Sequence, residues 1–166
     1  NTIPKYTFSF STIGKIVVPK NILVIDAAAF EMASLQLEFE EGSRLNSIME
    51  YAFHGGSLGD VEFPDSLTSI SDWAFCQTSL GEISFGDYSS LSSIGYKAFA
   101  NSGLSKITFP QNGQAISIGE MAFANSGLSG EVNISANVKS IGEGAFASCK
   151  GITSFVVDKN NSRYLH

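Results

Sequence analysis

Three kinds of residue are scarce in this chain, and each scarcity removes a class of explanation. Only ten Lys and Arg stand against sixteen Asp and Glu, a formal charge of −6. A nucleic-acid partner, which calls for a basic patch, is therefore not expected. Histidine occurs twice, as His54 and His166. With no G-x-S-x-G elbow, no G-x-x-x-x-G-K-S/T loop and no H-E-x-x-H pair, the chain offers no convergent catalytic set, and neither an enzyme nor a cofactor is expected. The two cysteines, Cys76 and Cys149, lie three copies apart in the repeat described below. That places them ~14 Å apart, beyond the ~7 Å reach of a disulfide, so two free thiols are expected. No apolar run approaches the ~20 residues that cross a bilayer, so no membrane insertion is expected of this stretch. The start at Asn1 has neither a basic nor an apolar leader region and reads as a piece of a longer protein.

What is abundant is repetition. Six Ala-Phe pairs (Ala29-Phe30, Ala52-Phe53, Ala74-Phe75, Ala98-Phe99, Ala122-Phe123, Ala145-Phe146) have alanines 23, 22, 24, 24 and 23 residues apart. A period of that size marks a stacked repeat protein, one continuous solenoid. A hydrophobic content of 43% with 16% charged residues excludes a disordered chain. Of thirteen phenylalanines, six sit in the pairs and five more (Phe39, Phe63, Phe85, Phe109, Phe155) share one other repeat position. The aromatic content is therefore a consequence of the repeat.

Each copy contains two apolar segments. One has the form φ-x-x-φ-x-φ, with φ apolar, as in Ile13-x-x-Ile16-x-Val18, Leu58-x-x-Val61-x-Phe63 and Leu104-x-x-Ile107-x-Phe109. Its alternation is that of a strand with one buried face, so Val61 and Phe63 point inward and Asp60 and Glu62 outward. The copy Leu35-x-Leu37-x-Phe39 is one residue shorter, and Leu128 with Val132-x-Ile134 one longer. The second segment (Leu45-x-x-Ile48, Leu67-x-x-Ile70, Leu91-x-x-Ile94, Ile116-x-Ile118, Val138-x-x-Ile141) leads into Ala-Phe. Gly95, Gly119 and Gly142 follow its isoleucine and predict a tight bend or a close approach of backbones. Residues 1–12, where Tyr6, Phe8 and Phe10 alternate with Thr7 and Ser9, read as a half-buried strand, either a cap or a degenerate repeat.

Val138-Lys-Ser-Ile141-Gly142-Glu-Gly-Ala145-Phe146-Ala-Ser-Cys149-Lys-Gly-Ile152 resembles the BspA-type leucine-rich repeat, a bacterial and protist family with repeats of about 23 residues. The resemblance covers about residues 13–158. It implies a mostly β, right-handed leucine-rich repeat solenoid with a parallel sheet on one face and short segments and turns on the other. It also implies a secreted or cell-surface protein that binds macromolecules of a host or neighbouring cell. The pattern's cysteine is Cys149 here but Ala33, Gly56, Thr78, Ser102 and Ser126 elsewhere, so small size is the shared property. Residues 159–166 read as the start of a further repeat or a truncated end, with the open end at Tyr164-Leu165-His166 a route to oligomers.

Two groups of residues are candidates for partner binding. Outward positions on adjacent strands bring Glu38, Asp60, Glu62 and Glu82 into one acidic patch suited to a basic partner. The patch belongs to an acidic stretch, residues 26–87, with twelve Asp or Glu against Arg44 alone. The residue before each alanine supplies the second group, with Tyr51 and Trp73 on adjacent coils and Tyr96 one position earlier on the next. Exposed, these would anchor a partner, since Trp and Tyr dominate interface hot spots. His54 reads as a corner residue. Asp158-x-Asn160-x-Ser162 echoes a calcium loop without its glycine and distal glutamate, and reads as an Asx turn. The function expected is a non-enzymatic recognition or adhesion module for a protein or glycan partner, or alternatively a structural spacer of a larger surface protein.

Overall fold

The computed structural model describes residues 1–164. It is a solenoid of parallel β-strands, about seven turns long, with no helix among the described residues. Each turn contributes one short and one longer strand. The short strands are β1 (Thr2–Ile3), β3 (Val24–Ile25), β5 (Ser47–Ile48), β7 (Ser69–Ile70), β9 (Ser93–Ile94), β11 (Ile116–Ile118) and β13 (Val138–Ile141). The longer ones are β2 (Thr12–Val18), β4 (Ser34–Phe39), β6 (Ser57–Phe63), β8 (Ser79–Phe85), β10 (Lys106–Thr108), β12 (Ser129–Ile134) and β14 (Gly151–Val157). The short segments expected on the second face are themselves strands, and they pair in sequence order into one seven-stranded sheet. The longer strands form a five-stranded sheet, β2 to β10, and a separate pair, β12 with β14. The break follows the loop 110–115 and coincides with the lengthened copy, where the β12–β14 register shifts between Gly130 and Glu131.

Stacking converts repeated positions into columns. Phe8, Phe30, Phe53, Phe75, Phe99, Phe123 and Phe146 form one spine with centroids 5.0 to 5.4 Å apart. The five from Phe30 to Phe123 are fully buried. Each ring contact adds about 0.5–1.5 kcal/mol beyond the area it buries. The alanines of the Ala-Phe pairs are 0 to 3% exposed, and their carbonyls accept the phenylalanine N–H of the preceding coil, as Ala52 does from Phe30 at 2.7 Å. A larger side chain there would hold the coils apart. Gly119 answers the question left by the sequence: its φ is not positive, and a Cβ would lie 2.7 Å from the Gly95 carbonyl carbon. It serves close approach rather than a bend.

The bend is made elsewhere. Two left-handed residues four apart flank the Ala-Phe turn in every coil, for example Trp73 (φ 55°) with Gln77 (φ 59°) and Lys97 (φ 50°) with Asn101 (φ 55°). Tyr6 (φ 58°) and Phe10 (φ 58°) are the first such pair. The half-buried strand expected over residues 1–12 is confined to Thr2–Ile3 and to Thr12, where β2 begins; residues 5–10 turn, as the later coils do. Tyr6 and Phe10 alternate with Phe8 because they are the exposed flanks of the turn and Phe8 its inward ring. A turn of this shape imitates a period of two.

At the other end, Phe155 pairs in register with Val132 rather than extending the column of Phe63, Phe85 and Phe109, and it is 49% exposed where Val132 is 3% exposed. Ile134, Ile141, Phe146, Phe155, Val157 and Tyr164 line an apolar hollow of about 260 Å³ there. Of the terminal triplet read from the sequence as an open end, Leu165 and His166 lie outside the described residues.

Candidate functional site

The outer face of the five-stranded sheet places side chains in two rows, fixed by register. Val17 pairs with Glu38, Glu62 with Ser84 and Ser84 with Thr108; Lys15 pairs with Gln36 and Glu82 with Lys106. β4 and β6 keep register only at Ser34 and Ser57, because β4 is one residue shorter. Beyond that pair the coils splay: Phe39 and Phe63 are 6.3 Å apart and tilted by 39°, whereas Phe63 and Phe85 stack at 5.2 Å. The splay coincides with a groove of about 960 Å³ lined by residues of β4, β6 and β8 and the loops that follow β4 and β6.

Glu38, Asp60, Glu62 and Glu82 all line this groove, joined by Glu40, Glu41 and Asp65. No Lys, Arg or His is among its lining residues. The three additional acids lie beyond the alternating strand positions, and only the pairing of loop with strand brings them in. The four expected residues are not equivalent. Glu38 is held by Lys15 at 2.7 Å. Asp60 accepts the Glu82 backbone N–H at 2.7 Å, reaching over Gly81, where a Cβ would collide with its carboxylate. Asp60 is thus partly a structural brace between coils. Glu62 and Glu82 are exposed and form no ion pair among the described residues.

Tyr51 and Trp73 come together on the opposite corner. Their rings are 5.3 Å apart and within 5° of parallel, and Tyr96 meets Trp73 edge-on at 5.0 Å. Tyr51 is 38% exposed and Trp73 half-buried. Both hold left-handed backbone (φ 58° and 55°), a conformation that bulky residues rarely adopt. Lys97 closes the cluster with its ammonium 5.0 Å from the Tyr96 centroid. Asp72 fixes Tyr96 by accepting its N–H at 2.7 Å.

A profile of the BspA type leucine rich repeat region, built of six copies, matches residues 1–117 and again 46–164. The chain belongs to the BspA-type leucine-rich repeat family. Among solved structures, that of the pneumococcal vaccine antigen PcpA is similar at a TM-score of 0.62 and 26% identity over 89% of this chain. The match spans 31% of the PcpA chain. No curated protein matches the chain.

In this BspA-type repeat the position filled by Cys149 does more than stay small. Thr78 Oγ1 donates to the Phe53 carbonyl at 2.7 Å, Ser102 Oγ to that of Phe99 at 2.7 Å, and Cys149 Sγ to that of Phe123 at 3.0 Å. For Phe53 and Phe123 this adds a second donor to carbonyls that already accept the Gly56 and Ser126 N–H, and for Phe99 the Ser102 hydroxyl takes the place of that N–H. His54 lies at the corner, its Nδ1 buried, 3.9 Å from Glu31 and without a hydrogen bond. Cys76 and Cys149 are both free thiols. Asp158 Oδ1 accepts the Asn160 N–H at 2.7 Å, which is an Asx turn. Among the described residues no three His, Cys, Asp or Glu are grouped to hold a metal.

Proposed function

We propose that this BspA-type chain is a non-enzymatic recognition module, displayed outside the cell, that receives a basic segment of a protein partner in its acidic groove. The observation that carries the reading is the groove itself: among its lining residues are seven carboxylates and no Lys, Arg or His, at the place where β4 and β6 splay apart on the five-stranded sheet. Clustered charge of one sign in a concave wall concentrates field and speeds encounter with the opposite charge. The likeness to PcpA, a pneumococcal vaccine antigen, supports display at a surface. The groove favours binding over a purely structural spacer, whose outer positions would mix both signs evenly.

The test is binding of the chain to extracellular-matrix proteins and to cationic and neutral glycans, at low and moderate salt. It is run beside a variant with Glu38, Asp60, Glu62 and Glu82 changed to serine. Salt-sensitive binding that the variant loses supports the groove. Binding of equal strength in both proteins, indifferent to salt, contradicts it, and absence of any ligand favours the spacer.

A further inference from the structure

The long strands at the two ends of the solenoid treat an open sheet edge differently. A free edge offers a row of unpaired N–H and C=O groups, and soluble proteins commonly guard it with a lysine. β2 carries such a guard: Lys15 is exposed at the middle of Thr12–Val18, and Pro19 follows the strand. β14 has none. Its seven residues, Gly-Ile-Thr-Ser-Phe-Val-Val, include no charge and no proline, and five of them are exposed against two of seven in β8. Among the described residues β14 pairs with β12 alone. Phe155 is 49% and Val156 43% exposed, and Phe155 lines the apolar hollow with Phe146, Val157 and Tyr164. The chain that follows is drawn instead to the start of β13, where the buried Asn161 side chain donates to the Ser135 and Val138 carbonyls at 2.8 and 3.0 Å. A long, uncharged edge rich in β-branched and aromatic residues takes up another strand.

The flanks of β14 indicate which strand. Lys150 precedes it and Asp158 follows it, and neither forms an ion pair among the described residues. Asp158 is held by one oxygen, Oδ1, which accepts the Asn160 N–H at 2.7 Å. The lysine and the aspartate lie equally far, four residues, on either side of Ser154. Laid antiparallel on itself about a two-fold axis at Ser154, β14 sets Lys150 of each copy against Asp158 of the other, so the contact is made twice. The same operation on β2 would set Lys15 against Lys15.

We propose that β14 pairs antiparallel, about Ser154, with β14 of a second copy of this chain, joining two solenoids end to end. The two apolar hollows then face each other and cover Phe155. Antiparallel pairing makes one continuous sheet, so the outer faces of both copies look the same way and both acidic grooves open on one side of the dimer. That arrangement is a bivalent surface for a repeated basic partner, a consequence that rests on the groove reading, whereas the dimer itself does not.

Sedimentation equilibrium from micromolar to millimolar concentration tests the pairing. Five proteins are compared: the unaltered chain, Val156→Lys, Lys150→Asp, Asp158→Lys and the four-serine groove variant. The unaltered chain and the groove variant should reach the mass of a dimer and no more. Val156→Lys gives β14 the guard that β2 has, and should weaken the dimer about ten-fold or more while melting, at low concentration, as the unaltered chain does. Lys150→Asp and Asp158→Lys should each self-associate about ten-fold more weakly, and mixing the two should restore the dimer, because the mixed pair regains both contacts. A chain that stays monomeric throughout, or a dimer that Val156→Lys leaves intact, overturns the proposal. Growth past the dimer overturns it as well, since stacking β2 of one copy on β14 of the next has no closing step. Failure of the mixed charge variants to recover overturns the pairing about Ser154.

Discussion

The two long sheets of this molecule have the same interior and opposite exteriors. Inside, Ile25, Ile48, Ile70, Ile94 and Ile118 line the seven-stranded sheet as Leu37, Val61, Ile83 and Ile107 line the five-stranded one, all 6% exposed or less. Outside, the seven-stranded sheet presents Ser47, Ser69, Ser93, Ser117 and Ser140 in one registered column. Hydroxyls on this face find local partners: Ser140 donates to Ser117 at 2.7 Å, Ser47 to Asn46 at 2.8 Å, and Ser92 to the Thr68 carbonyl at 3.1 Å. The five-stranded sheet presents Gln36, Asp60, Glu82 and Lys106 in one row and Glu38, Glu62, Ser84 and Thr108 in the next. Positions that repeat make the fold. Positions that vary from coil to coil, confined to one sheet and one corner, are where a partner can be specified.

The largest expected effect tests the shared interior. Phe75→Ala, in the middle of the spine, should destabilise the chain by about 3–5 kcal/mol in urea unfolding, with both sheets lost in a single transition. Separate transitions for the two sheets would break the comparison at its base. Next is the contrast of exteriors. Changing Glu38, Asp60, Glu62 and Glu82 to serine makes one outer face resemble the other, and should weaken a lysine-rich peptide ten-fold or more at low salt, by about 1.4 kcal/mol or more.

A smaller effect concerns the corner that joins the two sheets. Burial pushes the Cys76 thiol above the usual cysteine value of 9.0, partly offset by hydrogen bonding to Asn101. The folded pKa is raised, so the stability this thiol contributes is complete below about pH 9 and is lost as pH rises through the folded value. A thiol reagent should accordingly modify the less buried Cys149 first, and the Cys76→Ser chain should show a flatter fall in stability above pH 9. The smallest effect is the control: alanine at Ser69, Ser93 and Ser117 should leave peptide affinity unchanged and shift stability by no more than about 0.5 kcal/mol each.

Much of this was legible from the Ala-Phe period. Six copies at nearly constant spacing require stacked coils, and the alternation around Val61 and Phe63 gives the faces of the strands. The rows containing Glu38, Asp60, Glu62 and Glu82 follow from that alternation, and the structure brings all four to one groove. What could not be read has a physical cause in each case. Two-residue strands such as Ser69–Ile70 are too short to show a period. The left-handed backbone at Tyr51 and Trp73 is invisible because the turn imposes it on residues that do not favour it. The same turn made Tyr6-Thr7-Phe8 look like a strand. Glu40, Glu41 and Asp65 join the groove through loops, and the width of the groove goes with the single residue missing from β4. The sequence shows Asp60 only as surface charge, whereas its bond to the Glu82 N–H spans two coils.

The most direct measurement is a titration of the isotope-labelled chain with a lysine-rich peptide, followed by backbone amide shifts at low and at moderate salt. The account predicts salt-sensitive shifts concentrated at Glu38–Ser43, Asp60–Ser66 and Glu82–Ser84, with the amides of Ser47, Ser69, Ser93, Ser117 and Ser140 unmoved. Shifts centred on the serine column, or spread evenly over both faces, would contradict it.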